Sequence, residues 1–171
     1  MADLQVQIRE VITIAGSKYD AFNTVTIDGI NEISKRLVTL TTSSREILSI
    51  DSTIGSGTFV EKETKYLRIT NKDEKNNVIL HFQNADSSSC VFRLDKGCSF
   101  IYNGVSGSDS GSANVNYGMG LQYTTQASGS GIATSSLSLG SLHNITAYCS
   151  SSTLPVTQSF TSDIELFVAS N

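Results

Sequence analysis

Lys65-Tyr66-Leu67-Arg68-Ile69-Thr70, the turn Asn71-Lys72-Asp73-Glu74-Lys75-Asn76-Asn77, and Val78-Ile79-Leu80-His81-Phe82-Gln83 form the stretch that decides the fold. Leu67 and Ile69 fall on one face and Arg68 on the other, which is the period-two signature of a half-buried strand. Val78, Leu80 and Phe82 repeat the pattern, with His81 and Gln83 opposite. Two alternating runs joined by a polar, turn-forming loop predict antiparallel strands.

Outward from this stretch the same grammar continues. Downstream lie Val91-Phe92-Arg93-Leu94, the turn Asp95-Lys96-Gly97, and a run from Cys98 to Tyr102. Upstream, Leu4, Val6 and Ile8 alternate with Gln5, Gln7 and Arg9, and a turn is expected at Gly16. Phe22 to Ile27 ends at Asp28-Gly29, a hairpin-type turn signal. Ile30, Ile33 and Leu37 permit a short helical turn, but Ile33 to Leu40 reads better as a strand. Asp163-Ile164-Glu165-Leu166-Phe167-Val168 predicts a final strand that pairs with the N-terminal half. Many short strands punctuated by turn residues indicate an all-β, antiparallel β-sandwich or jelly-roll-like domain.

With 171 residues, one core forms without disulfides or metals, so residues 1–171 are read as a single domain. The hydrophobic fraction is 39% and the charged fraction 16%, with Ser, Thr, Asn and Gly making up the difference. Polar-faced strands explain that balance better than disorder, which couples low hydrophobicity to high charge. A net charge of -4 argues against nucleic-acid binding, which needs a local excess of Lys and Arg. The opening residues lack the apolar core of a signal peptide, and no run approaches a membrane span, so synthesis in a cytosol is expected. Cys90, Cys98 and Cys149 are read as three free, buried thiols, with a Cys90–Cys98 bridge across a hairpin as the alternative.

The sharpest feature is a shift in composition. Every Lys and Arg lies at or before Lys96, and from Gly97 onward only Asp109, Asp163 and Glu165 are charged. Gly/Ser-rich stretches at 104–116 and 127–131 permit a flexible-loop reading. The alternative is a surface facing another protein, because interface cores are poor in charge. On that reading 104–160 is a charge-poor interface region. Its candidate contact residues, taken with nearby Tyr102, are Tyr117, Met119, Leu121, Tyr123, Leu137, Leu139, Leu142 and Tyr148.

Catalytic chemistry finds little footing. The carboxylates Asp28, Asp73, Glu74, Asp86 and Asp95 sit in turns, where Asp and Glu are turn formers first. His81 lies on a polar strand face and His143 among small polar residues, neither beside a nucleophile elbow. The cysteines and histidines lack zinc spacing, and the loops at Asp73 and Asp109 lack the EF-hand ligand order. No cofactor is expected. A carbohydrate-binding sandwich is an alternative, with the tyrosines as weak stacking platforms in a chain that has no Trp.

The run Tyr66-Leu67-Arg68-Ile69-Thr70-Asn71, the strand at Val78-Ile79-Leu80, and Phe92-Arg93-Leu94-Asp95-Lys96-Gly97-Cys98-Ser99-Phe100 together resemble a module of small virion structural proteins of tailed bacteriophages. The resemblance covers about residues 59–103. It implies a sandwich or jelly-roll subunit without an active site, packed on a capsid as a decoration (cement) protein or on a tail as an adaptor. It further implies other virion proteins as partners, a homo-oligomer such as a trimer, and residence in the virion. Cys98 departs from the small polar residue expected there, and the Gly/Ser/Asn-rich region after Tyr102 has no counterpart.

Overall fold

The computed structural model describes residues 2–51, 58–60, 63–84, 89–103, 121–126, 132–137, 142–150 and 160–171. Among them every regular element is a strand: β1 Ala2–Ile14, β2 Ser17–Ile30, β3 Glu32–Leu40, β4 Arg45–Asp51, β5 Thr58–Val60, β6 Thr64–Asn71 and β7 Asn77–Asn84. There follow β8 Ser89–Leu94, β9 Ser99–Asn103, β10 Leu121–Gln126, β11 Ile132–Leu137, β12 Leu142–Ser150 and β13 Ser162–Ser170. Where a helical turn competed with a strand, Ile30 ends β2 and Ile33 and Leu37 lie in β3.

Two sheets make a sandwich-like body. One runs β5-β4-β12-β7-β8, the other β3-β13-β6-β9. All neighbours are antiparallel except β4 and β5. Alternation decides which side chains meet between them. Leu48, Ile50, Val78, Leu80, Phe82, Ile145, Ala147 and Cys149 from one sheet close on Leu67, Ile69, Ile164, Leu166 and Val168 from the other. Nearly all are under 2% exposed, and each fully buried aliphatic contributes about 1.5–3 kcal/mol through removal from water. Phe82, Phe92 and Phe100 pack in edge-to-face and tilted pairs at 4.9–5.6 Å between centroids, bringing β7 and β8 of one sheet against β9 of the other.

The C-terminal strand pairs as expected and more fully. β13 lies between β3 and β6, so it joins N-terminal and middle segments. β12 lies between β4 and β7. Region 104–160 is therefore not loop throughout, because Leu142–Ser150 is a central strand. That placement gives a local reason for part of the missing charge, because alternate residues of β12 face the core, where Lys and Arg are almost never buried.

β1 and β2 do not enter either sheet. They pair only with each other, in a two-stranded ribbon. Ala15 and Gly16 both have positive φ, 50° and 83°, and form the two-residue turn that suits the twist of a hairpin. The Asp28-Gly29 signal proves to be something other than a hairpin turn. Ala2 pairs with Ile30 and Leu4 with Ile27, so two residues of β2 oppose one of β1. This is a bulge, with Gly29 at φ 72°. A glycine able to take positive φ serves a bulge as readily as a turn. Lys65 Nζ donates to the Asp28 carbonyl at 2.8 Å and ties the bulge to β6.

Candidate interaction surface

The ribbon is amphipathic along its whole length, but the body covers only its base. By register one face carries Leu4, Val6, Ile8, Glu10, Ile12 and Ile14 beside Ile27, Val25, Asn23, Ala21, Tyr19 and Ser17. At the base, Leu4, Val6, Val25, Ile27 and Ile30 pack on the outer face of the four-stranded sheet, against Tyr66, Ile101, Phe167 and Ala169. Burial there pushes the Tyr66 hydroxyl above its ordinary pKa. Farther out the same face runs free of the body: Ile12 and Ile14 are each 56% exposed. Ile8 and Tyr19 are also exposed, as are Val11 and Phe22 on the opposite face. That opposite face is otherwise polar and holds the Arg9–Asp20 ion pair. Where arm and sheet part, a wedge of about 200 Å³ opens between Ile8, Arg68, Ile101 and Phe167.

The sheet beneath has an uncovered strip as well. On edge strand β3, Ile33 and Leu37 are 58% and 68% exposed. Register places Lys35 between them, opposite Phe167, with Glu165 opposite Leu37. Glu165 is held by Arg68 and, at 3.3 Å, by Lys35. The Arg68 guanidinium lies 5.7 Å above the Phe167 ring. Burial acts to raise the Glu165 pKa, but the hydrogen bonds and charges of Lys35 and Arg68 prevail and hold it below its ordinary value. A row of exposed aliphatics interrupted by one cation is thus displayed on a rigid frame.

The residues singled out from sequence scatter. Tyr102 and Leu142 are buried in the core, 5% and 2% exposed, and serve packing rather than a surface. Tyr148 lies half-buried on the outer face of the five-stranded sheet, opposite Ile79. Leu121, Tyr123 and Leu137 belong to the β10–β11 hairpin, where Leu121 pairs with Leu137. Tyr117, Met119 and Leu139 lie outside the described residues. The arm and the β3 strip were not among the sequence candidates. The signal was present in Val11 to Ile14, an apolar run with little polar alternation, but sequence gives no sign of whether such a strand is covered.

Elsewhere, titratable groups serve the fold. Asp73 accepts from the amides of Lys75 and Asn76 at 2.6 and 2.9 Å, closing the turn between β6 and β7. A cleft of about 400 Å³ opens beside it, lined by Thr70, Asn71, Lys72, Glu74, Lys96 and Gly97 as well. His81 Nδ1 lies 3.5 Å from the Thr146 hydroxyl, across β7 and β12. All three cysteines are free: Cys149 is buried and Cys90 partly so, but Cys98 is exposed, against the expectation of three buried thiols. No family model matches the sequence, and no curated protein or solved structure matches it either.

Proposed function

We propose that this chain is a non-enzymatic structural subunit of a tailed-phage particle, a decoration protein that binds the shell through protein–protein contacts. The observation that carries the reading is the arm. A two-stranded ribbon is marginally stable alone in water, and this one presents Ile8, Val11, Ile12, Ile14, Tyr19 and Phe22 to solvent on a base anchored to the sandwich. Exposed apolar patches of this kind mark association surfaces. The residues of the phage resemblance fall in β6 to β9 and their turns, and two of these strands, β6 and β9, place Tyr66 and Ile101 beneath the arm base. On a shell, many copies would each bury a modest apolar area. Linked contacts of this sort raise overall binding well beyond the strength of any one.

The experiment is immunogold electron microscopy of purified phage particles with antibodies raised against the folded chain. Gold on the particle is the expected result. Particles without label, with all of the protein in the soluble fraction, would overturn the virion assignment.

A further inference from the structure

Two uncovered strips on this molecule share one spacing and opposite charge. The outer half of the arm presents Ile8, Glu10 and Ile12 on one face, and β3 presents Ile33, Lys35 and Leu37 on its outer face. Alternate residues of a strand stand about 6.6 Å apart. Each strip is therefore apolar, charged, apolar at equal intervals, with an acid at the centre of one and a base at the centre of the other. Because the charge is central, the match holds for either strand direction. Glu10 is exposed and makes no ion pair among the described residues. Lys35 is 62% exposed and shares Glu165 with Arg68, so it can turn to a second carboxylate without leaving Glu165 unpaired.

Within one copy the strips do not meet, because the aliphatics of both remain exposed. The arm base cannot shift to join them without giving up the packing of Ile27 and Ile30 on Tyr66 and Ala169 and the Lys65 tie. We infer that the occupant of the β3 strip is the arm of a second copy of this chain, with Ile8, Glu10 and Ile12 lying along Ile33, Lys35 and Leu37. The contact prolongs one already present. The arm base covers the outer face of this same sheet with the same ribbon face, so a neighbour's arm laid beside it extends that layer across to the β3 edge. Ile14 and Tyr19 continue past the strip toward the neighbour's rim. Exchanged reciprocally between two copies, arm on strip and strip under arm, the contact closes a twofold pair.

The inference deepens the assembly reading and rests on it for the need of a binding partner, which it identifies as this chain itself. Its test is a charge exchange followed by sedimentation velocity on the purified full chain. The wild type should self-associate. Glu10→Lys sets two cations face to face and Lys35→Glu two anions, so each variant alone should associate about tenfold more weakly. A one-to-one mixture of the two should associate like the wild type, because in the mixed pair every arm meets a strip of opposite charge. Leu37→Asp serves as a second strip variant should thermal melting show that Lys35→Glu disturbs the fold; it should weaken association in the same way. A wild type that stays monomeric overturns the inference, as do single variants that associate unchanged or a mixture that fails to recover. A monomer that nonetheless labels phage particles leaves the virion reading standing with a different partner on the arm. Self-association without particle labelling does the reverse.

Discussion

Ser162 donates from its hydroxyl to the side-chain oxygen of Asn71 at 3.1 Å, joining the start of β13 to the end of β6 in a site closed to water. The same oxygen accepts from the Asp73 amide at 3.0 Å. The Asn71 amide nitrogen donates to the carbonyls of Asn76 at 2.9 Å and Leu94 at 3.2 Å. One fully buried side chain thus ties two strands, a turn and the end of β8. Asn71→Ala would strand those carbonyls and the Ser162 hydroxyl, at about 1–3 kcal/mol for each group left unsatisfied. Urea unfolding should show a loss of about 3 kcal/mol, and Asn71→Asp should be worse, since it sets a carboxylate against two carbonyl oxygens. A loss below about 1 kcal/mol for Asn71→Ala would mean that water replaces the missing bonds.

Glu165 makes stability depend on acidity in one direction. Its pKa in the folded chain lies below the ordinary 4.5, so the unfolded chain binds a proton more readily. The stabilisation it confers is fully present above about pH 5 and is lost as pH falls through the folded value. Melting temperatures across pH 6 to 3 should therefore fall less steeply for Glu165→Gln than for the wild type. The variant should be the less stable protein at pH 7, because Lys35 and Arg68 lose their shared carboxylate. Parallel curves for the two proteins would show that other carboxylates govern the acid response.

The thiols should separate by reactivity. Burial pushes Cys149 and Cys90 above the ordinary thiol range, with the Asp73 charge adding to the effect at Cys149. Cys98 is exposed at the turn into β9. An aromatic disulfide reagent on the native protein should titrate one thiol fast and the other two only slowly or on unfolding. Mass mapping should place the fast adduct on Cys98, and equal rates at all three positions would contradict the burial pattern.

What was legible in the sequence was local. Leu67 and Ile69, or Val78, Leu80 and Phe82, announce their faces through alternation, and that alternation is enough to give an all-β domain with these side chains inside. Neighbour relations were not legible. β12 inserts between β4 and β7 from far along the chain, and nothing in Leu142–Ser150 names those partners. Tyr102 and Leu142 read as surface candidates because they lie in or beside a charge-poor region, but lack of charge marks core-facing positions as well as contact surfaces, and both face the core. The arm was hidden for the opposite reason. Leu4, Val6 and Ile8 alternate identically whether covered or not, and only the three-dimensional placement shows that cover ends near Ile8.

The outer arm should be less stable than the two sheets of the body. Beyond its base it has one pairing partner per strand and no packed layer, whereas β13 is flanked on both sides and faces the core. Amide hydrogen exchange at concentrations low enough to keep copies apart should find the bonded amides between Ile8 and Phe22 exchanging orders of magnitude faster than those of Ile164, Leu166 and Val168. The turn offers a way to shift that balance. Ala15 sits at φ 50°, where an alanine pays for its Cβ and an asparagine is better tolerated. Ala15→Asn should slow exchange along the outer arm by a few-fold, since the gain is under about 1 kcal/mol, and leave β13 unchanged. Ile12→Asp should leave the urea midpoint of the monomer within about 0.5 kcal/mol of wild type, as expected for an exposed site. If instead Ile12→Asp destabilises the isolated monomer as strongly as a core truncation such as Leu166→Ala, about 2–5 kcal/mol, the outer arm is packed against its own body and cannot serve as a free contact surface.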